Sequence, residues 1–502
     1  MMTNPLIAKV TQKIAVDYCR LSIVTNRDGL LVREDVQQAL YLEAGLTVVV
    51  GSNLALRIHY ETIYRDSSEK RFVYISESSE TIVPDMVEGA FVTDFAIADL
   101  FPLFADKSLL KGLNLEELTR LMGRCGIRRI SMTDSSRIVK EVKQEIEAER
   151  QKSAEYYREQ IETVEVDWIR KAQRSIEGIS ECMIGAARHS VYNAIAPKIA
   201  EYNQQFQDWI DSSYFGTLNS SHYFAPKSVN KVLPYIVEAH QAQEEKVALI
   251  LVDGLAYWQY YLLREHLSKK GIETAESPIL AWLPTITMLS RQAIFRGRVP
   301  EREYKQNPAN ERKLWYEYWR DRGLSNYCIQ YLRDNEEFAI NEGTTRLAYV
   351  TVEMDEKMHS STDYKDLLSL TENWCPRITE KFETLRRMGF TIYLTSDHGS
   401  VLSHGWQPIS QIDKVFLYKD GSRGKRHLMY NREEEKKDFE QKHTGEIELL
   451  SRDLWLAIRS DDCFEREGVQ IITHGGSHFM EVLVRTFQCQ VQHSYKCRKK
   501  TS

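Results

Sequence analysis

Asp397 and His398 close an apolar run, Phe390-Thr391-Ile392-Tyr393-Leu394, within the segment Leu394-Thr395-Ser396-Asp397-His398-Gly399. A run of that length before a glycine turn reads as a buried strand. A carboxylate beside an imidazole at its carboxyl end is a candidate pair of metal ligands. Successive strand side chains point to opposite faces, so one ion meets both only if the backbone curls after the strand, which Gly399 permits. The competing reading is a turn with two solvated polar residues. Three other runs weigh against it: Lys246 to Val252 ends in Asp253-Gly254, Leu347 to Met354 ends in Asp355, and Val469 to Thr473 ends in His474-Gly475-Gly476. In one open parallel sheet the carboxyl ends of four such strands share the edge where ligands bind.

A hydroxyl belongs to the same constellation. In Ala281-Trp282-Leu283-Pro284-Thr285-Ile286-Thr287 the proline restricts the approach, and Thr287 then opens a helix with Ser290 and Arg291 one turn on. A threonine at that place can be an N-cap. Beside a metal that lowers its pKa it is a nucleophile. The runs that carry Asp and His favour the nucleophile.

Positioning such residues takes more than one domain. The chain has 502 residues, 42% of them hydrophobic, enough for two to four cores. Its eight cysteines are scattered without CxxC pairs, which fits reduced thiols in a cytoplasmic protein and argues against structural zinc held by cysteine. The amino terminus lacks the apolar core of a signal peptide, and no stretch reaches the length of a membrane span, so no membrane association is expected. A net charge of -6 gives no global field to attract nucleic acid, although a local basic groove stays open.

Residues 1–134 alternate apolar runs (Leu21 to Thr25, Leu46 to Val50, Arg71 to Ile75) with helical stretches from Glu34 and Ala55, a βαβαβ signature for a small parallel sheet. Val50-Gly51-Ser52-Asn53 reads better as a plain turn than as a phosphate cradle. Phe101 to Phe104 and a helix from Asn114 close this domain. Residues 135–244 are mostly helical, with mixed charges from Lys140 to Lys152 that read as a solvated face, and Gly216 to His222 reads as a loop. Residues 245–502 carry the chemistry. Within them Tyr304 to Arg333 interleaves aromatics with bases around Trp315, Trp319 and Arg322; packing on the core is favoured over stacking of nucleotide bases. His266, His404 and His478 lack a strand-end setting and read as surface or packing residues, and Lys496 to Lys500 is a short basic tail.

Taken in order, Asp253, Pro284-Thr285-Ile286-Thr287, Asp355 with His359 four residues on, Asp397-His398-Gly399 and His474-Gly475 resemble the alkaline phosphatase superfamily of two-metal phosphoesterases. The closer resemblance is to PglZ-domain proteins of BREX-type phage-defence systems, through Thr-x-x-Ser-Arg, Ser-Asp-His-Gly and a late His-Gly-Gly. It covers about half the chain, and less sharply the amino-terminal regions. One departure is Val484-Arg485, where such proteins often have Val-Pro.

The resemblance implies an α/β fold: an alkaline-phosphatase-like parallel-sheet catalytic domain preceded by a small α/β domain and a helical region. It implies one ion on Asp253, Thr287, Asp397 and His398 and a second on Asp355, His359 and His474, with zinc expected and manganese as the alternative. Thr287 would attack phosphorus, with Ser290 or Arg291 holding a nonbridging oxygen. The expected activity is that of a metal-dependent phosphodiesterase or phosphatase acting on a phosphoester, nucleotides or nucleic-acid ends among the candidates, with other defence proteins as partners. The rival is a catalytically weak scaffold of a defence complex, which would need none of the ligands. A sulfatase is disfavoured because Thr287 cannot mature to an aldehyde.

Overall fold

Short runs of β-branched and aliphatic residues become strands when helices cover both faces of their sheet. The computed structural model describes residues 4–65, 67, 70–77, 84–125, 129–218, 225–418 and 424–490. Two compact units result, residues 1–152 and 153–502.

In the first unit β1 (Leu21–Asn26), β2 (Leu46–Gly51), β3 (Arg71–Ser76) and β4 (Phe91–Phe95) form a parallel sheet in the order β2-β3-β1-β4. Helices Glu34–Ala44 and Asn53–His59 make the crossovers, as the alternating pattern requires. Ser52 caps the second of these, its hydroxyl accepting from the Ala55 amide at 3.3 Å, so the Val50 to Asn53 segment is a turn occupied by its own helix. Phe101, Phe104, Leu118 and Leu121 are buried in the core of this unit. The mixed charges of the helix Met132–Glu162 pair along the helix, as in Arg137 with Asp134 and Glu141, and across to the helix Leu115–Cys125, as in Arg120 with Glu149.

The second unit contains β5 (Val247–Val252), β6 (Glu273–Leu280), β7 (Ile329–Arg333), β8 (Arg346–Thr351), β9 (Thr391–Ser396), β10 (Val401–Gly405), β11 (His427–Met429), β12 (Leu449–Arg452), β13 (Trp455–Ile458), β14 (Asp462–Cys463), β15 (Gln470–Thr473) and β16 (Leu483–Gln490). The main sheet runs β6-β16-β9-β5-β8-β7, with β9, β5, β8 and β7 parallel and β16 antiparallel to its neighbours. Every residue of β5 is buried, which explains its unbroken apolar sequence. Val252 stands level with Thr351 and Ser396, so β5, β8 and β9 end together. Two smaller sheets, β14-β10-β15 and β11-β13-β12, complete the unit.

The helices Ala172–Arg188 and Ala196–Trp209 do not stand apart as a helical domain. Ile176, Ile179, Ile199 and Phe206 share one core with Ile250, Leu394 and Phe479, because a sheet with an apolar face on each side needs helices over both. The compact units divide at Lys152, with these helices inside the second. Gly216, Thr217 and Leu218 lie in the short helix Phe215–Leu218; the remainder of the expected loop, Asn219 to His222, and the tail Lys496 to Lys500 lie outside the described residues.

Trp315 and Trp319, on the helix Pro308–Arg320, are 1% and 2% exposed and pack edge to face at 5.5 Å. The Trp315 indole N–H donates to the Gln330 carbonyl at 2.9 Å. These rings belong to the core and offer no platform to a nucleobase. Trp315→Ala is therefore expected to cost about 3–5 kcal/mol of stability, measured by denaturant unfolding; a loss below about 1 kcal/mol would contradict this packing.

Candidate metal centre

Asp253 follows β5 directly, and Asp397-His398 follows β9 beside it, so the parallel register alone brings these three together. Asp355 arrives by another route. Strand β8 stops at Thr351 and the chain turns into the helix Glu353–Ser360, whose first turn carries Glu353, Asp355 and Glu356. Acidic residues favour a helix amino terminus, and the spacing of four then places His359 on the same face as Asp355. His474 follows β15, which pairs antiparallel with β10 in a separate sheet. The expectation of four parallel strands in one sheet is thus corrected: two strand ends, one helix and one small sheet supply the site.

Two glycines allow this convergence. Gly254 has φ +70°, and a Cβ there would come within 3.3 Å of the Asp355 Cα, so the β5 turn and the Asp355 helix meet only because no side chain intervenes. Gly399 has an ordinary φ and is needed for space, since a Cβ would collide with the Met480 carbonyl oxygen.

Asp253, Asp397 and His398 form one group, and Asp355, His359 and His474 form a second, with one ligand atom of each residue within 4.8 Å of the others in its group. The imidazoles of His398 and His474 stack at 3.8 Å between centroids with 10° between planes, which sets the groups side by side. His398 Nε2 lies 3.5 Å from Asp253 Oδ1 and 3.6 Å from Asp397 Oδ2. Asp355 Oδ1 lies 3.5 Å from His359 Nε2 and 3.6 Å from His474 Nε2. These separations are too long for good hydrogen bonds. They match two donors on one tetrahedral ion at about 2 Å each, whose mutual distance is roughly 3.3 Å. Asp253 Oδ1, Asp355 Oδ1 and Asp397 Oδ2 are buried without a hydrogen-bond partner, as oxygens meant for a cation would be.

The outer contacts fix the tautomers. His474 Nδ1 donates to the Thr285 carbonyl at 2.8 Å, and His398 Nδ1 to the Gly399 carbonyl at 3.1 Å, leaving both Nε2 lone pairs turned to the carboxylates. Burial, then the neighbouring His398, lowers the His474 pKa, so its ring is neutral and fit to ligate. Burial raises the Asp397 carboxyl well above its usual range, and the charge of Asp253 adds to it. Burial also opposes ionisation of Asp253, but the Arg291 guanidinium and the two histidines outweigh it and the pKa falls.

Thr287 is the first residue of the helix Thr287–Arg296 and does not cap it; the cap position is Ile286. Its Oγ1 is 3.1 Å from His398 Nε2 and it lines a cavity of about 640 Å³ together with His359 and His474. The other two residues of this helix serve elsewhere. Ser290 is fully buried and its hydroxyl accepts from the Trp282 amide at 3.0 Å. Arg291, 4% exposed, spans Asp253 at 2.6 Å and both oxygens of Glu311 at 2.6 and 2.7 Å. Neither is free to hold a phosphoryl oxygen; Arg291 orients the Asp253 carboxylate.

Sequence reasoning missed Glu311, Thr285 and the buried pair Arg426–Glu481. Glu311 shares the buried face of its helix with Trp315, and an acid on an apolar face signals a buried partner. The Thr285 hydroxyl accepts from the Gly475 amide at 3.1 Å and donates to the Gly476 carbonyl at 2.8 Å, tying the Thr287 segment to the His474 loop. Glu481 accepts from the Gly476 amide and from Arg426, which anchors that loop from below. His478 is a packing residue whose Nδ1 accepts from the Met480 amide at 3.2 Å, and His404 is exposed. Arg485 lies on β16 against Glu276 at 3.0 Å and over the Tyr257 ring at 4.4 Å, so the departure at Val484-Arg485 affects a strand contact and leaves His474 unaltered.

Residues 233–488 match the family model described as BREX system PglZ alkaline phosphatase-like domain. No curated protein matches the chain. Among solved structures the chain is similar to murine ectonucleotide pyrophosphatase / phosphodiesterase 5, at 11% identity and a TM-score of 0.35 over 49% of this chain and 88% of that one. It is also similar to phosphonoacetate hydrolase from Sinorhizobium meliloti 1021 in complex with phosphonoacetate, at 11% identity and a TM-score of 0.36 over 49% of this chain and 90% of that one. The family match takes in the main sheet except the last two residues of β16, and every residue of both candidate ligand groups. This chain belongs to the PglZ family and carries its alkaline phosphatase-like domain.

Proposed function

We propose that this protein is a metal-dependent phosphodiesterase with Thr287 as its nucleophile, acting on monoesters more slowly. The observation that carries the reading is the set of three aspartates, each with one buried oxygen left unsatisfied and facing a histidine nitrogen. Asp253, Asp397 and His398, with Thr287, would hold one divalent cation, and Asp355, His359 and His474 a second. The oxygen and imidazole donors suit zinc, with manganese as the alternative. Two such ions, when bound, ease ionisation of the attacking hydroxyl and offset charge on the attacking and leaving oxygens. Thr287 Oγ1 attacks phosphorus and gives its proton to solvent in the cavity, and the bond to the leaving oxygen breaks, that oxygen departing with the electron pair and taking a proton from solvent. Water then cleaves the phosphothreonine and restores the hydroxyl. Arg291 keeps Asp253 ionised and in place, and the Thr285 carbonyl holds the neutral His474 ring in place through its Nδ1–H. A scaffold without turnover would have no use for these unsatisfied carboxylates, whose burial is costly.

The family description supports a place in a BREX-type defence assembly, with other defence proteins as partners. Seven free cysteines among the described residues support a reducing, cytoplasmic setting. Among the described residues no helix is long and apolar enough to cross a membrane.

Substrate class follows from charge. Arg291 is committed to Asp253 and Glu311, and Lys425 to Glu465, so that of the Arg and Lys side chains lining the cavity or contacting Asp253 only Lys305 is without an acidic partner among the described residues. A diester, with one fewer negative charge than a monoester dianion, needs less positive charge. Bis-p-nitrophenyl phosphate should be cleaved faster than p-nitrophenyl phosphate at equal metal loading, by about tenfold for a difference of about 1.4 kcal/mol. A clear preference for the monoester would overturn the diesterase assignment.

A further inference from the structure

The cavity beside Thr287 is larger than a phosphoryl group needs. At about 640 Å³ it falls in the range of sites that enclose whole organic ligands. Besides Thr287, His359 and His474 its wall includes Tyr304, Lys305 and Gln306, from the segment between the helices Thr287–Arg296 and Pro308–Arg320. Three observations mark this segment. Lys305 is exposed and enters no ion pair among the described residues, whereas Lys425 on the same wall is neutralised by Glu465. The Tyr304 hydroxyl is buried without a hydrogen-bond partner. Burial, then the charge of Glu311, raises its pKa, so it stays protonated and can donate. Gln306 donates through Nε2 to the Glu311 carboxylate, and Glu311 in turn holds Arg291 against Asp253. Gln306 thus ties the backbone that carries Tyr304 and Lys305, through Glu311 and Arg291, to Asp253.

A free ammonium beside an unspent hydroxyl donor fits an anion, and a neutral leaving group would use neither. Resting on the reading that this cavity cleaves phosphodiesters, we infer that Tyr304 and Lys305 form a subsite for a second phosphate of the substrate, beyond the scissile phosphorus. Lys305 determines specificity for it and Tyr304 supplies a directional donor. The favoured substrate is a diester that carries another phosphate within reach.

The test compares kcat/KM for thymidine 5′-(p-nitrophenyl phosphate) and for its 3′-phosphorylated counterpart, which differ by one phosphate. The 3′-phosphate should raise kcat/KM by about tenfold, the scale of one hydrogen bond to a charged group. That ratio should fall to near one in Lys305→Ala, drop partway in Tyr304→Phe and persist in Lys305→Arg. A ratio of one in the unaltered protein, or an unchanged ratio in Lys305→Ala, would overturn the subsite while leaving the phosphodiesterase reading intact. Should neither substrate nor bis-p-nitrophenyl phosphate turn over, that reading fails, and the subsite is then decided by calorimetric binding of thymidine 3′,5′-bisphosphate. Weaker binding to Lys305→Ala than to the unaltered protein supports the subsite; equal binding overturns it.

Discussion

Thr287→Ala is expected to lower kcat on a phosphodiester by about a thousandfold or more, with the fold and the metal content retained. The hydroxyl is the only nucleophilic group of its helix that faces the cavity, since Ser290 is buried against Trp282. The substitution removes one contact, to the buried His398 Nε2, an atom that would face the cation in the loaded site. Thr287 does not cap its helix, so no cap is lost. Its effect on stability should stay within about 1 kcal/mol, checked by thermal unfolding beside the kinetics. Thr287→Ser keeps a hydroxyl at the same atom and should retain part of the activity. Diester cleavage surviving in the alanine variant at near the original rate would remove the nucleophile assignment.

The parts of the site that were legible in the sequence are those fixed by local pattern. Asp253 follows a fully buried run and Asp397-His398 a run buried from Ile392 on, and a parallel pair in register brings such ends together without further information. Asp355 lay in an apolar run that reads as strand through Met354, yet the acidic first turn of a helix begins at Glu353. The i, i+4 spacing of Asp355 and His359 was the readable sign of that helix. The apolar run before His474 reads as one more strand of the main sheet because a short run does not reveal its pairing partner; β15 joins β10 through contacts distant in sequence. The roles of Ser290 and Arg291 were illegible for a related reason. Thr287, Ser290 and Arg291 share a helix face by spacing, but only the first turn reaches the cavity, and the next is covered by Trp282 and Glu311. The tryptophans of the aromatic and basic stretch resolved to the core because their helix lays one apolar stripe on the sheet.

Removal of metal should have an effect as large as loss of the nucleophile. Three carboxylates converge, and among the described residues the Arg291 guanidinium, itself shared with Glu311, is the one Arg or Lys paired with any of them. Cations that bind the folded chain alone stabilise it by about 2.7 kcal/mol at a free concentration one hundred times the dissociation constant, so chelation should lower the melting temperature as well as abolish turnover. Zn²⁺ or Mn²⁺ should restore both. Elemental analysis of an active preparation, read against its turnover before and after chelation, is the most direct measurement. Two ions per chain, lost with activity and regained with it, is the result predicted by the two ligand groups; full activity with one ion or none would contradict it.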